Sequence, residues 1–167
     1  DPDGVARMGG RRLAVLTGAG LSTDSGIPDY RGPDSPPSNP MTIRQFTSDP
    51  VFRRRYWARN HVGWRDMDQR MPNAGHRALA TLERAGVVSG LITQNVDLLH
   101  TKAGSRAVVD LHGTYVRVIC LDCGHTMSRA VLAGLLEAAN PGFLERVRAV
   151  GSRSPCKPVR VGFTSSP

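Results

Sequence analysis

The chain is predicted to be an α/β protein built on a parallel sheet, with a smaller part of different character attached. Three observations carry this. Leu13 to Leu16 is a short apolar run that stops at Thr17-Gly18-Ala19-Gly20, the pattern of a buried strand entering a glycine turn. Two further apolar runs, Val87 to Thr93 and Val108 to Leu111, alternate with helix-forming segments, as they do where helices cover the faces of a parallel sheet. From Tyr115 the pattern changes to a short strand, Val116 to Ile119, that leads into Cys120-Leu121-Asp122-Cys123-Gly124-His125.

Size and composition narrow the class. With 167 residues, 40% hydrophobic and 22% charged, the chain can bury one sizeable core as a soluble globular protein. No apolar run approaches the ~20 residues of a membrane span. The start, Asp1-Pro2-Asp3, has neither an initiator Met nor a signal segment, so the chain reads as a fragment or a processed form, with a cytoplasmic location expected. The net charge of +8 is partly local, because residues 146–167 carry Arg146, Arg148, Arg153, Lys157 and Arg160 and no acid. Aromatics are only 5%, so no stacking platform interleaves with the charge, and a solvated basic surface is expected rather than specific nucleic-acid binding. Three cysteines, two in a C-x-x-C, point to a metal or redox site rather than a disulfide framework.

In chain order, the glycine turn is followed by Ser22, Thr23, Asp24 and Ser25, good helix N-caps. Strand, glycine turn and helix start present backbone N–H groups to a phosphate. The spacing departs from G-x-G-x-x-G because the third position after Gly20 is Thr23, so an ordinary tight loop is the competing reading. Ser25 to Gly32 adds a polar loop with a carboxylate and a guanidinium, and Pro33 to Pro40 reads as a flexible loop. Asp49-Pro50 starts a helix carrying Phe52, Tyr56, Trp57 and Arg59 and fading near Gly63-Trp64, its aromatics packing a core. Asn73 caps a helix whose apolar face is Ala74, Ala78, Leu79, Leu82 and Ala85, with Gly86 as its stop and His76 in a structural role. The second strand ends in Gln94-Asn95-Val96-Asp97, at the carboxyl end where open α/β sheets bind ligands. A short helix over Leu98 to Ala103, a turn at Gly104-Ser105 and the third strand lead to His112-Gly113. Ser128 caps a last helix with Val131, Leu132, Leu135 and Leu136 on one face, ended by Asn140-Pro141-Gly142.

Gly18-Ala19-Gly20, Gly26-Ile27-Pro28-Asp29-Tyr30-Arg31, Gln94-Asn95-Val96-Asp97, His112-Gly113 and Cys120-x-x-Cys123, in this order, make the chain resemble the sirtuins, NAD-dependent protein deacylases. The resemblance covers about residues 10–150. Tyr56-Trp57-Ala58-Arg59-Asn60 and Cys120 to Gly124 are most similar to the class II branch, which includes bacterial members and a mitochondrial animal one. It implies a Rossmann-like NAD domain from residues 1–34 and 72–114, a helical insert over 35–71 and a zinc ribbon over 115–151. It also implies further strands closing the sheet, so the three strands here would leave apolar surface bare, and 152–167 reads as an aberrant tail.

Carried over by motif, Gly18, Ala19, Gly20, Ser22 and the loop through Asp29, Tyr30 and Arg31 would wrap the pyrophosphate and nicotinamide ribose. Gln94 and Asn95 would hold the riboses, Ile27 and Asp97 the nicotinamide, and His112 would be the general base. In the family's reaction an acyl-lysine carbonyl oxygen attacks the ribose, nicotinamide leaves, and O-acyl-ADP-ribose forms. Histidine suits the base because its pKa lies near neutrality. The desuccinylating sirtuins carry Tyr-x-x-Arg, and Tyr56 and Arg59 share one helix face at that spacing. A phenol and a guanidinium can bind an acidic acyl group; the other reading is that Tyr56 packs and Arg59 is solvated. Cys120 and Cys123 would hold a structural zinc, whose tetrahedron needs four ligands. Only Cys156 remains as a thiol, and His125 stands too close to Cys123 to serve, so the site reads as incomplete. Two other functions stay open at this point: a mono-ADP-ribosyltransferase using the same NAD pocket, and a non-catalytic NAD- or partner-binding remnant.

Overall fold

The computed structural model describes residues 10–29, 32 and 41–151. Tyr30, Arg31, the loop expected over 33–40, Cys156 and the tail expected over 152–167 lie outside the described residues. The chain divides into two compact units, one from Asp1–Ser38 with Asp66–Tyr115, the other from Asn39–Arg65 with Val116–Pro167. No described helix is long and apolar enough to cross a membrane.

The first unit holds a three-stranded parallel sheet in the order β1 (Leu13–Thr17), β2 (Val88–Thr93), β3 (Val108–Asp110). β2 lies in the centre and its sequence VSGLIT is the most buried, with Val88, Leu91 and Thr93 at 3% exposure or less. A 3₁₀ turn, Ala19–Ser25, follows β1. Of the α-helices, α1 (Ile43–Ser48) and most of α2 (Pro50–Gln69) belong to the second unit, and α3 (Ala74–Arg84) and α4 (Leu99–Lys102) to the first. The second unit is completed by the antiparallel hairpin of β4 (Arg117–Ile119) and β5 (Thr126–Ser128), then α5 (Arg129–Ala139) and α6 (Phe143–Gly151). The sequence reading did not anticipate α1, β5 or α6.

Packing corrects three expectations. α2 continues past Gly63-Trp64 to Gln69. One glycine costs a helix only about 1 kcal/mol, and Trp64, packed against the Arg129 guanidinium, together with the Arg65–Glu137 ion pair at 3.0 Å, ties the later turns down. In α3 the buried face is His76 and Ala80, both at 0% exposure, while Ala74, Ala78, Leu82 and Ala85 face outward. The cap sets this rotation: Asn73 accepts from the Gly75 and His76 N–H groups and donates Nδ2 to the Leu21 carbonyl at 2.7 Å. In α5 the buried positions are Arg129 and Ala133, and Val131 and Leu135 stay more than half exposed. Ser128 caps α5 as expected, accepting from the Val131 N–H at 3.1 Å.

Leu16, Ile92 and Val109 lie in register across the sheet, and Leu16 and Val109 are 64% and 55% exposed. One face of the sheet is therefore apolar and bare over this row. The other is held by α3, whose Glu83 carboxylate accepts from the Arg106 and Ala107 N–H groups at the entry to β3. Those backbone donors, Ala107 first, draw the Glu83 pKa below the ordinary carboxylate value.

Asn73 joins the helix cap to the glycine turn through one side chain. Asn73→Ala is expected to cost about 1–2 kcal/mol, read as a lower urea midpoint by far-UV circular dichroism. Asn73→Ser keeps a capping oxygen and removes only the Nδ2 donor to Leu21, so it should lose distinctly less; equal losses would show that the cap contributes nothing.

Candidate active site

All three strands of the sheet are parallel, so their carboxyl ends lie along one edge. The motifs read from sequence emerge there: Gly18 after β1, Gln94 and Asn95 after β2, and His112 shortly after β3. Gly18 takes the N-cap position of the 3₁₀ turn in extended conformation, and no side chain caps that end. This corrects the expectation of a Ser or Thr cap: the turn starts as soon as β1 stops, which puts Ser22 inside it. A Cβ at Gly20 would enter open space, and one at Gly18 would stand 3.8 Å from Gln94 Oε1. The strand thus ends in a cradle with backbone donors and no side-chain bulk, which fits a phosphate group. Gly26 closes the turn with φ of 78°, a left-handed conformation that favours glycine.

Beneath the cradle is a layer of buried polar side chains. Ser22, 1% exposed, donates to Asp97 Oδ2 at 2.6 Å. Asn95 Nδ2 donates to the Gly18 carbonyl at 2.9 Å and to Ser22 Oγ at 3.1 Å. Asp97 Oδ1 accepts from the Leu99 N–H at 2.9 Å and so starts α4, next to Leu98, the one described non-glycine residue with positive φ. Thr17 donates to Thr93 Oγ1 at 2.9 Å, which uses its only proton, so His100 Nε2–H is the donor in its 2.9 Å bond to Thr17. His76 and His100 are 0% and 2% exposed, with ring centroids 4.9 Å apart. Burial, then the His76 charge, pushes the His100 pKa down to about 4, against an upward pull from Asp97. Burial likewise lowers that of His76.

His112 is exposed, unlike these two. Its Nδ1 lies 3.0 Å from the Gln94 carbonyl oxygen, which can only accept. Nδ1 therefore carries the proton, and the lone pair of the neutral ring sits on Nε2. Gln94 is exposed, Asn95 and Ile27 are half-buried, and Asp29 accepts from the Gly32 N–H at 2.8 Å. Tyr115, missed by the sequence reading, donates its hydroxyl to Asp68 Oδ1 at 2.7 Å, and burial followed by that bond raises its pKa. Thr17, Thr93 and His100 were missed too. The signal available was a threonine closing each of two neighbouring strands.

The second unit holds the remaining candidates. Tyr56 packs edge-on against Phe46 and Trp57, each at 5.1 Å between ring centroids. Arg59 is exposed, with no hydrogen bond or ion pair among the described residues. Cys120 and Cys123 lie at the turn of the β4–β5 hairpin, where the Cys120 N–H reaches the His125 carbonyl at 2.8 Å and Gly124 has φ of 71°. The Cys123 and Asp122 N–H groups face the Cys120 sulfur and lower its pKa, as suits a metal-binding thiolate. Two thiolates are half of a zinc tetrahedron, and no described group of three or more His, Cys, Asp or Glu could complete one.

With this geometry in place, the comparisons are direct. Residues 18–157 match the Sir2 family. A Mycobacterium avium NAD-dependent protein deacetylase 1 is 77% identical over 150 residues, 90% of this chain and 53% of that protein. The human mitochondrial NAD-dependent protein lipoamidase sirtuin-4 is 48% identical over 136 residues, 78% of this chain and 43% of its own length. A solved complex of Sir2 with a p53 peptide and NAD+ superposes with a TM-score of 0.71 at 38% identity, covering 81% of this chain and 55% of that one. The chain spans about half the length of the curated relatives it matches.

The buried histidines link stability to pH. Their folded pKa values lie below the unfolded value of 6.5, so in that interval the unfolded chain binds more protons. Stability present above 6.5 is lost as pH falls toward 4. Between pH 7 and pH 5 the loss should be about 2 kcal/mol by urea titration, smaller in His100→Asn. A flat profile would mean that the pair is not buried in solution.

Proposed function

The chain belongs to the Sir2 family, and on that premise we propose that it carries the NAD pocket and general base of an NAD-dependent protein-lysine deacylase. The observation that supports this most is His112, whose Nδ1–H is anchored on the Gln94 carbonyl beside the glycine cradle, leaving Nε2 as a free base. NAD, when bound, supplies a ribose carbon open to the acyl carbonyl oxygen, with nicotinamide as the leaving group. Gly18, Ala19 and Gly20 offer backbone donors to its phosphates, and Gln94 stands exposed at the rim for a ribose. Asn95, Ser22 and Asp97 hold the turn in shape through their mutual bonds, and Ile27 adds an apolar wall. His112 Nε2 accepts a ribose hydroxyl proton as the product forms. Tyr30, Arg31 and Asp29 belong to the same loop by motif.

The acyl group is proposed to be acidic or bulky rather than acetyl, met by Tyr56 and Arg59. The exposed guanidinium of Arg59, without a partner among the described residues and one turn from a phenol, supports an acidic group, and the name of the human relative supports a bulky one. Cys120 and Cys123 would hold a structural zinc with two further ligands, stabilising the hairpin without taking part in the chemistry.

Two measurements test this. His112→Ala should lower NAD-dependent nicotinamide release by about 10²–10⁴-fold while NAD binding by calorimetry is kept; undiminished turnover would remove His112 as the base. Arg59→Ala should reduce turnover of glutaryl- and succinyl-lysine peptides relative to acetyl by about tenfold, and an unchanged ratio would sink the acyl assignment.

A further inference from the structure

Arg129 is a buried cation with no role in the chemistry proposed above. It is 2% exposed, its Nη1 and Nη2 have no hydrogen-bond partner, and its guanidinium lies 5.6 Å from the Trp57 ring centroid and 5.0 Å from that of Trp64. Its Nε donates to Asn60 Oδ1 at 2.8 Å. We propose that Arg129 is a positioning residue for acyl selectivity: by clamping Trp57, Asn60 and Trp64 it fixes the rotation of α2, and so the direction in which Tyr56 and Arg59 meet an acyl chain. The inference rests on the reading of Tyr56 and Arg59 given above.

Helix geometry makes the connection. Trp57, Asn60 and Trp64, at spacings of three and four, share one stripe of α2, and Arg129 touches all three. Tyr56 and Arg59 each precede a clamped residue by one position, about 100° around the helix. A helix released at the stripe therefore swings both candidates together. The clamp is itself anchored: the Arg129 N–H donates to the Val116 carbonyl at 2.7 Å, at the first position of α5. A buried, unpaired guanidinium is costly, and an apolar side chain would fill the same space with less penalty. What only the guanidinium offers is a plane that stacks on two indoles and a fork that reaches an amide at once. Burial, the largest cause, lowers its pKa, as it does for a cation cut off from water.

The test is equilibrium binding of fluorescent acetyl-lysine and glutaryl-lysine peptides to the whole chain with NAD, for the parent, Arg129→Gln, Arg129→Lys and Arg59→Ala. The clamp predicts that both Arg129 variants lower the glutaryl-over-acetyl affinity ratio by about 5–10-fold and leave acetyl-peptide affinity nearly unchanged. Lysine should fail to rescue, because it keeps the charge without the plane. The only two tryptophans in the chain are the two that Arg129 touches, so a red-shifted emission reports release of the clamp directly. Shifted emission with an unchanged ratio, while Arg59→Ala lowers it, would overturn the inference and leave the acyl reading standing. No preference in the parent, or no effect of Arg59→Ala, would overturn the acyl reading and the inference with it. Should Arg129→Gln not fold, Asn60→Ser loosens the same clamp and carries the same expectation, and an unchanged ratio there overturns it.

Discussion

The hydroxyl of Thr17 has one proton and two lone pairs, and the first unit depends on how they are used. The proton goes to Thr93 and a lone pair receives His100 Nε2–H, which joins the ends of β1 and β2 and the first turn of α4 at one buried atom. One residue further on, the Gly18 carbonyl accepts from Asn95, and within the turn Ser22 donates to Asp97. Polar groups at this depth must be paired or the layer costs more than an apolar one would. That requirement leaves the turn after β1 little choice of path. The hydrogen bonds beneath the cradle fix the path of its backbone.

The same layer explains the division of labour among the histidines. His76 and His100 are enclosed, and lowered pKa values favour their neutral forms, with His100 donating to Thr17 and His76 accepting from the Asn73 N–H. His112 stands outside the layer, exposed and anchored by Nδ1 to the Gln94 backbone carbonyl, an arrangement that suits the base role proposed for it. In the second unit a buried guanidinium takes the place of the hydroxyl layer. Arg129 gathers two indoles and an amide, and the aromatic group of Phe46, Tyr56 and Trp57 continues from there.

Much of this was legible beforehand. Apolar runs of β-branched residues bounded by glycine located β1, β2 and β3 to within a residue or so, because a central parallel strand needs such a run. Asn73 and Ser128 marked helix starts correctly, since a cap is a local hydrogen bond. The helix faces were misread in α3 and α5. Small apolar residues such as Ala74 and Ala78 match a helical period without needing burial, whereas His76 and Arg129 are inside because other side chains partner or stack on them. α1 has only six residues, too few to show a period, whereas the helical spacing of Phe143, Leu144 and Val147 in α6 was legible and was missed.

By itself, the sequence determined the three parallel strands with the helices between them, the glycine turn, the strand that leads into the C-x-x-C and the motif order that identifies the family. These are properties of neighbouring residues, set by local sterics and by capping. Tertiary structure alone decided that His100 is a buried strut between β1 and α4, what Ser22 and Asp97 bond to, and why Trp57 and Trp64 share one arginine. Those pairings join residues up to 83 positions apart. Burial there changes what a side chain does without changing what it is, and no local pattern records it.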